Sequence, residues 1–452
     1  MKRNNLSSSY RDPSGFVFIK GGEVYRQINK TYLNNYKILM DSGLYNELIK
    51  QGLLIPHKEL GKGVIKPVQI PFISYPYEWS FGEFKDAALL TLKIQKIALN
   101  YGMSLKDATS FNVQFLNGKP IFIDTLSFEK YKEGVPWVAY RQFCEQFLSP
   151  LALMSYRDPR ISGLLVGGVG SIPLDLAASL LPIKAKFNPM LLLHIFAQAA
   201  SQNKVNNISI KNNQKSIKVG LGAMKELIDS LESSVKGLKL SSSKTTWGSY
   251  YLDNNNYSGI SMKSKKNLVR KYLKNIRPKL VWDAGANDGT FSRISANLGA
   301  LTISLDNDYE AVENNYLQVK KNAEKNILPL FVDLIKPSPA IGWNLDERNS
   351  FFGRKKPDTV LALALIHHLA IASNLPIGML AEFFSQITDH LIIEFIPKDD
   401  SQVKLLLAAR EDIFPDYNME VFEEEFSRYF SIKSKDKIAS SLRTLYLMKR
   451  KR

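Results

Sequence analysis

The chain has 452 residues, 45% of them hydrophobic and 23% charged, which excludes a disordered polymer and is too long for one ordinary core. The single cysteine, Cys144, excludes an internal disulfide framework, and residues 1–15 carry no apolar leader, so a cytoplasmic setting is expected. A formal charge of +17 leaves nucleic acid or anionic lipid open as partners, although no nucleic-acid motif accompanies the scattered lysines and arginines.

In chain order, Phe16–Lys20 and Glu23–Ile28 flank a Gly21-Gly22 turn and read as a β-hairpin. An amphipathic helix is expected over Thr31–Gln51, with Leu44, Leu48 and Ile49 on one face, and a second over Phe84–Tyr101 with Ala87, Leu90, Ile94 and Ile97 at helical spacing. Residues 1–150 therefore form an expected α+β N-terminal domain.

Near its end, Asp107 and Asn112 precede a hairpin about Asn117-Gly118, and Asp124 follows it. This spacing resembles the catalytic hairpin of protein and aminoglycoside kinases. That resemblance implies a carboxylate that orients a hydroxyl, with an Asn–Asp pair holding magnesium on phosphates. The match departs from those families in three ways: no His-Arg or His-Gly precedes Asp107, no glycine-rich phosphate loop occurs, and no clear lysine-bearing strand lies beyond Lys20. Three readings stay open: a phosphotransferase centred on Asp107, Asn112 and Asp124, a kinase-derived binding domain, and plain turn residues, which Asp, Ser and Asn favour.

Residues 151–243 read as a mostly helical connecting region. Ile161–Ile183 is the most apolar stretch, but Pro173 and Asp175 interrupt it, and a membrane span needs about 20 mostly uninterrupted apolar residues. A buried or pocket-lining segment is expected, with no membrane span. His194 lies on an apolar helix over Pro189–Gln202, where packing is the expected role. Asn203–Lys218 reads as a linker, Ala223–Ser233 as a short helix, and Ser241–Ser243 as the boundary before a module spanning 244–452.

That module opens with Trp247, Tyr250, Tyr251 and Tyr257, then a helix over Met262–Asn275. Lys279–Phe291, KLVWDAGANDGTF, follows as apolar strand, glycine-rich turn and helix start. The next strand, Leu301–Leu305, ends in Asp306, 23 residues after Asp283, where a carboxylate suits a ribose diol. Ile327–Val332 ends in Asp333, and Thr359–Leu365 in His367 and His368; Leu391–Pro397 carries Glu394. The closing segments Phe430–Lys433 and Leu442–Met448 read as a final hairpin, with Arg443 toward one face.

From Asp283, Gly285, Asn287 and Gly289 onward the module resembles motif I of the class I S-adenosylmethionine-dependent methyltransferases. The resemblance covers Trp247 to the C-terminus, a little under half the chain. It implies a Rossmann-like seven-stranded methyltransferase domain with S-adenosyl-L-methionine as cofactor. It also implies that Asp306 holds the ribose and that Asp333 and Leu334 contact the adenine. Asp283 would orient the turn, and the N-terminus of the helix after motif I would offer free backbone N–H groups to the methionine carboxylate. His367 is the candidate base and Glu394 a second candidate at the pocket edge. No metal is expected, because five histidines and one cysteine supply no ligand cluster.

The N-terminal part is loosely similar to material beside methyltransferase domains in bacterial proteins, nodulation-type methyltransferases among them. It is expected to recognise the acceptor, an unidentified O, N or C nucleophile, on a small molecule rather than on protein or RNA. The rival expectation is a non-catalytic cofactor-binding scaffold.

Overall fold

The computed structural model describes residues 4–201, 218–240, 258–408 and 411–451. The expected linker over 203–217, the boundary at Ser241–Ser243 and the aromatics Trp247, Tyr250, Tyr251 and Tyr257 lie outside the described residues. The chain divides into two compact units, one of residues 1–242 with 339–350 and one of residues 243–338 with 351–452. The expected connecting region falls within the first unit. No helix among the described residues is long and apolar enough to cross a membrane.

The first unit begins with the expected hairpin. Gly15–Lys20 pairs antiparallel with Glu23–Ile28 across Gly21 and Gly22, both at positive φ. Asn4–Asn5 on one side and Val64–Pro67 and His57–Glu59 on the other extend this into a five-stranded sheet. The helix expected over Thr31–Gln51 is broken into Leu33–Asp41 and Leu44–Lys50, because Gly43 takes φ 83 between them. The long helix starts earlier than expected, at Phe81: Ser80 accepts from Glu83 N–H while the Glu83 carboxylate accepts from Ser80 N–H, a reciprocal cap. Its Phe84, Ala87, Ala88 and Ile94 are fully buried.

The second unit is built on one sheet of seven strands: β1 (Leu280–Ala284), β2 (Leu301–Asp306), β3 (Ile327–Phe331), β4 (Thr359–Ala362), β5 (His390–Phe395), β6 (Phe430–Lys437) and β7 (Thr444–Arg450). The order is β3-β2-β1-β4-β5-β7-β6. The first five run parallel, while β7 lies antiparallel to β5 and β6 antiparallel to β7. Among the described residues six α-helices accompany it: α1 (Gly259–Ile276), α2 (Thr290–Asn297), α3 (Tyr309–Asn322), α4 (Ile377–Ile387), α5 (Ser401–Ala408) and α6 (Met419–Tyr429).

All residues of β1 and β4 are buried, as strands covered on both faces must be. On one face Val269 and Leu273 of α1 and Phe291 and Ile294 of α2 pack on Val281, Leu361 and Ile392. On the other, Phe384, Phe422 and Phe426 pack with tilted rings near Phe395. β4 is shorter than its apolar run because Ala364 takes φ 51 and turns the chain out of the strand. The strand order reverses between β1 and β4, and a crevice opens at the carboxyl ends there.

Candidate functional site

The turn after β1 follows the sequence expectation. Gly285 and Gly289 adopt φ 74 and 77, and Asn287 φ 49, values that a residue with a Cβ rarely takes. Gly285 and Ala286 N–H both donate to Leu305 O, at 2.9 and 3.0 Å, which staples the turn to β2. That brings Asn287 N–H to Asp306 Oδ2 at 2.7 Å, while Asp308 N–H donates to Asp306 Oδ1 at 2.8 Å. Burial pushes the Asp306 carboxyl up to about 6, with these backbone bonds opposing.

A cavity of about 260 Å³ lies over the carboxyl ends of the strands. Gly285, Asn287 and Asp306 form one wall, Asp333 and Leu334 a second, and His367, His368 and Arg443 a third. Six of the sequence candidates thus meet around one space: Gly285, Asn287, Asp306, Asp333, Leu334 and His367. Asp333 Oδ1 also accepts from Ile335 N–H at 2.8 Å, which fixes the turn after β3.

Three candidates are placed behind the cavity wall. The Gly289 position is crowded: a Cβ there would stand 2.4 Å from Asn315 Oδ1. Asp283 is buried, and its Oδ2 accepts from Ser292 Oγ–H at 2.6 Å, which in turn accepts from Ser304 Oγ–H at 2.7 Å. This chain ties α2 to β1 and β2, and burial pushes the Asp283 carboxyl up to about 7. Glu394, expected at the pocket edge, is enclosed. Its Oε2 accepts from Ala364 N–H and from Lys265 Nζ, each at 2.7 Å. The N-terminus of α2 differs from expectation as well, because Thr290 N–H is taken by Asp288 Oδ1 at 3.0 Å.

Glu394 belongs to a buried ionic network that the sequence pattern did not announce. Arg443 Nη1 stands 3.8 Å from Glu394 Oε1, and its Nε and Nη2 bind Asp400 bidentately at 2.7 and 2.9 Å. Burial lowers the pKa of Lys265, opposed by Glu394. One signal was available: Lys265 shares the buried stripe of α1 with Ser261, Val269 and Tyr272, where an unpaired lysine would be untenable. Asp400 gave no such signal.

His367 stands where the network meets the cavity. It is buried, and its Nδ1 has no hydrogen-bond partner among the described residues. Burial, then the charges of His368, Arg443 and Lys265, hold its pKa well below the usual imidazole range, which favours the neutral ring. Among the described residues no group of three or more His, Cys, Asp or Glu is arranged to hold a metal.

In the first unit Asp107, Asn112 and Asp124 also come together. Gln142 Nε2 donates to Asp107 Oδ1 at 2.8 Å, and Asn112 hydrogen-bonds the same carboxylate. Asn112 Nδ2 donates to Ser127 Oγ at 3.1 Å, and Ser127 Oγ–H to Asp124 Oδ2 at 2.7 Å. Arg26 Nη1 pairs with Asp124 Oδ1 at 2.6 Å, so a guanidinium already neutralises the carboxylate that the kinase resemblance assigns to magnesium. His194 is packed as expected, bonded to Tyr140 and Ser230, and burial pushes it down to about 4.

No family model matches the chain. Over 463 residues it is 34% identical to nodulation protein NoeA of Rhizobium meliloti (strain 1021), covering 98% of this chain and 96% of that protein. Among solved structures, the N-methyltransferase NodS from Bradyrhizobium japonicum WM9 aligns with 44% of this chain and 100% of its own at 10% identity and a TM-score of 0.33. The magnesium protoporphyrin IX methyltransferase ChlM from Synechocystis PCC 6803, with bound SAH, aligns with 45% of this chain and 93% of its own at 17% identity and a TM-score of 0.33.

Proposed function

The chain belongs to the family of nodulation protein NoeA, and on that premise we propose that its second unit is an S-adenosylmethionine-dependent methyltransferase acting on an O, N or C nucleophile. One observation carries the reading: Asp306, at the end of β2, is held by backbone N–H bonds from Asn287 and Asp308 with its carboxylate on the cavity, beside a turn of positive-φ residues. A cis-diol fits that carboxylate, and an amino-purine fits between Asp333 and the apolar side of Leu334. S-adenosyl-L-methionine, when bound, supplies an electrophilic methyl group on a sulfonium.

The residues of the chain do the rest. Asp306 fixes the ribose end, and Gly285 and Asn287 let the backbone approach closely. His367, a neutral imidazole on the cavity wall, accepts the proton that the acceptor gives up as its lone pair attacks in line. Glu394 acts one step removed, holding Ala364 N–H and therefore the turn that carries His367. In this reading the acceptor is a small molecule recognised by the first unit, and a shortened chain of residues 240–452 that kept turnover would overturn that assignment.

The test is calorimetric titration of S-adenosylmethionine and S-adenosylhomocysteine into the wild type and Asp306→Ala. Micromolar-range affinity, about −8 kcal/mol, lost in the variant, supports the reading; a folded wild type that binds neither overturns it. The meeting of Asp107, Asn112 and Asp124 favours a second reading, a phosphotransferase. Magnesium-dependent ATP binding lost in Asp124→Ala would support it, and the Arg26–Asp124 pair argues against it.

A further inference from the structure

The first unit leaves a run of apolar side chains in solvent where its helices adjoin. After helix Leu174–Leu180, a 3-10 turn over Ile183–Phe187 leads into the helical segment that starts at Pro189, and these pieces pack on one another. The turn directs Ala185 inward, fully buried, and leaves Ile183 76% and Phe187 83% exposed. These are the two highest exposures of any large apolar residue among those described. Leu192 and Leu193 on the next segment, and Leu176 on the preceding helix, are also exposed. A helical stretch that is apolar on its outer face as well as its inner one is unusual beside water.

Basic side chains border this surface. Lys184 and Lys186 are exposed in the same turn, with Lys184 Nζ 5.9 Å above the Tyr156 ring and Lys186 Nζ 5.5 Å above the Phe196 ring. Among the described residues 157–201, Arg157, Arg160, Lys184 and Lys186 stand against two acids, Asp158 and Asp175.

We propose that this surface docks the protein on an anionic phospholipid bilayer, with Phe187, Ile183, Leu192 and Leu193 entering the acyl boundary and Lys184 and Lys186 at headgroup level. Apolar tips flanked by lysines are what such an interface rewards, since apolar burial and headgroup attraction add. A second copy fits less well, because a symmetric contact would set Lys184 and Lys186 against their own counterparts. A nucleic acid would engage the lysines and leave Ile183, Leu192 and Leu193 in water.

The test is co-sedimentation of the full-length chain with phosphatidylcholine vesicles, with and without phosphatidylglycerol. The expected result is binding to the anionic vesicles that weakens as salt rises, with affinity lower by about tenfold or more in Ile183→Ser/Phe187→Ser and in Lys184→Gln/Lys186→Gln. Both pairs are exposed, so unchanged melting temperature and cofactor binding are expected alongside. Failure to sediment with anionic vesicles overturns the proposal, as does undiminished binding by Ile183→Ser/Phe187→Ser. Concentration-dependent dimerisation abolished by Phe187→Ser, without vesicle binding, gives the face to a second copy and overturns it too.

Discussion

Asp306 and His367 divide the work of the cavity by charge, and each assignment carries a measurable consequence. Asp306 accepts hydroxyls best when ionised, and its carboxyl is pushed up to about 6. Cofactor affinity should therefore be full above that value and fall as pH drops through it, whereas Asp306→Asn should bind weakly at every pH; a flat wild-type profile between pH 5 and 8 on the same calorimeter would contradict this. His367→Ala should lower kcat by about 10²–10⁴ while leaving the dissociation constant of S-adenosylhomocysteine unchanged. Loss of both together would make His367 a packing residue. The Lys265–Glu394 pair is buried on both sides. Lys265→Met alone leaves the buried Glu394 carboxylate with the more distant Arg443 as its cation and should cost about 3–5 kcal/mol of stability. Adding Glu394→Gln should return part of that in a denaturant melt.

At the scale of elements, the turn after β1 does two separate jobs. Gly285 approaches the cavity side, where an added Cβ would meet Leu365 Cδ1 at 3.3 Å; at Gly289 it would meet the Asn315 amide at 2.4 Å and Arg293 Nη1 at 2.7 Å. Both positions have positive φ, so either alanine is strained by about 1–2 kcal/mol. Gly289→Ala should be the more destabilising, since α2 must also move from α3, and equal melting temperatures for the two variants would refute this. The Lys265 network shows how elements far apart in sequence share one task. α1 brings the lysine, β5 the glutamate, the residue before β7 the arginine and the residue before α5 the aspartate.

For the whole molecule, ligand linkage tells the two units' candidate sites apart. S-adenosylhomocysteine at 100 times its dissociation constant should add about 2.7 kcal/mol to the stability of the transition it touches. ATP with magnesium should not raise any transition, because Arg26 already occupies the carboxylate of Asp124. A rise with magnesium and ATP that Asp124→Ala removes would reverse that assignment and restore the phosphotransferase reading.

The sequence determined more of the second unit than of the first, and for local reasons. Short apolar runs ending in Asp283, Asp306, Asp333 and His367 announce parallel strands and the edge that faces a ligand, because a buried strand must be apolar and its end need not be. α6 begins where the Asn418 side chain accepts from Val421 N–H, a start that a cap residue before an amphipathic stretch encodes locally. α3 was overlooked although Asp308 caps it, since its polar-rich stretch shows no strong stripe. The break at Gly43 and the early end of β4 at Ala364 depend on φ values that a hydrophobic pattern does not encode. What only the tertiary structure decided was which charged residues are partners. Lys265 and Glu394 lie 129 positions apart, and only Glu394 was expected at the pocket. The fold buries them together at 2.7 Å, with Arg443 3.8 Å from the same carboxylate, where desolvation makes an uncompensated charge costly.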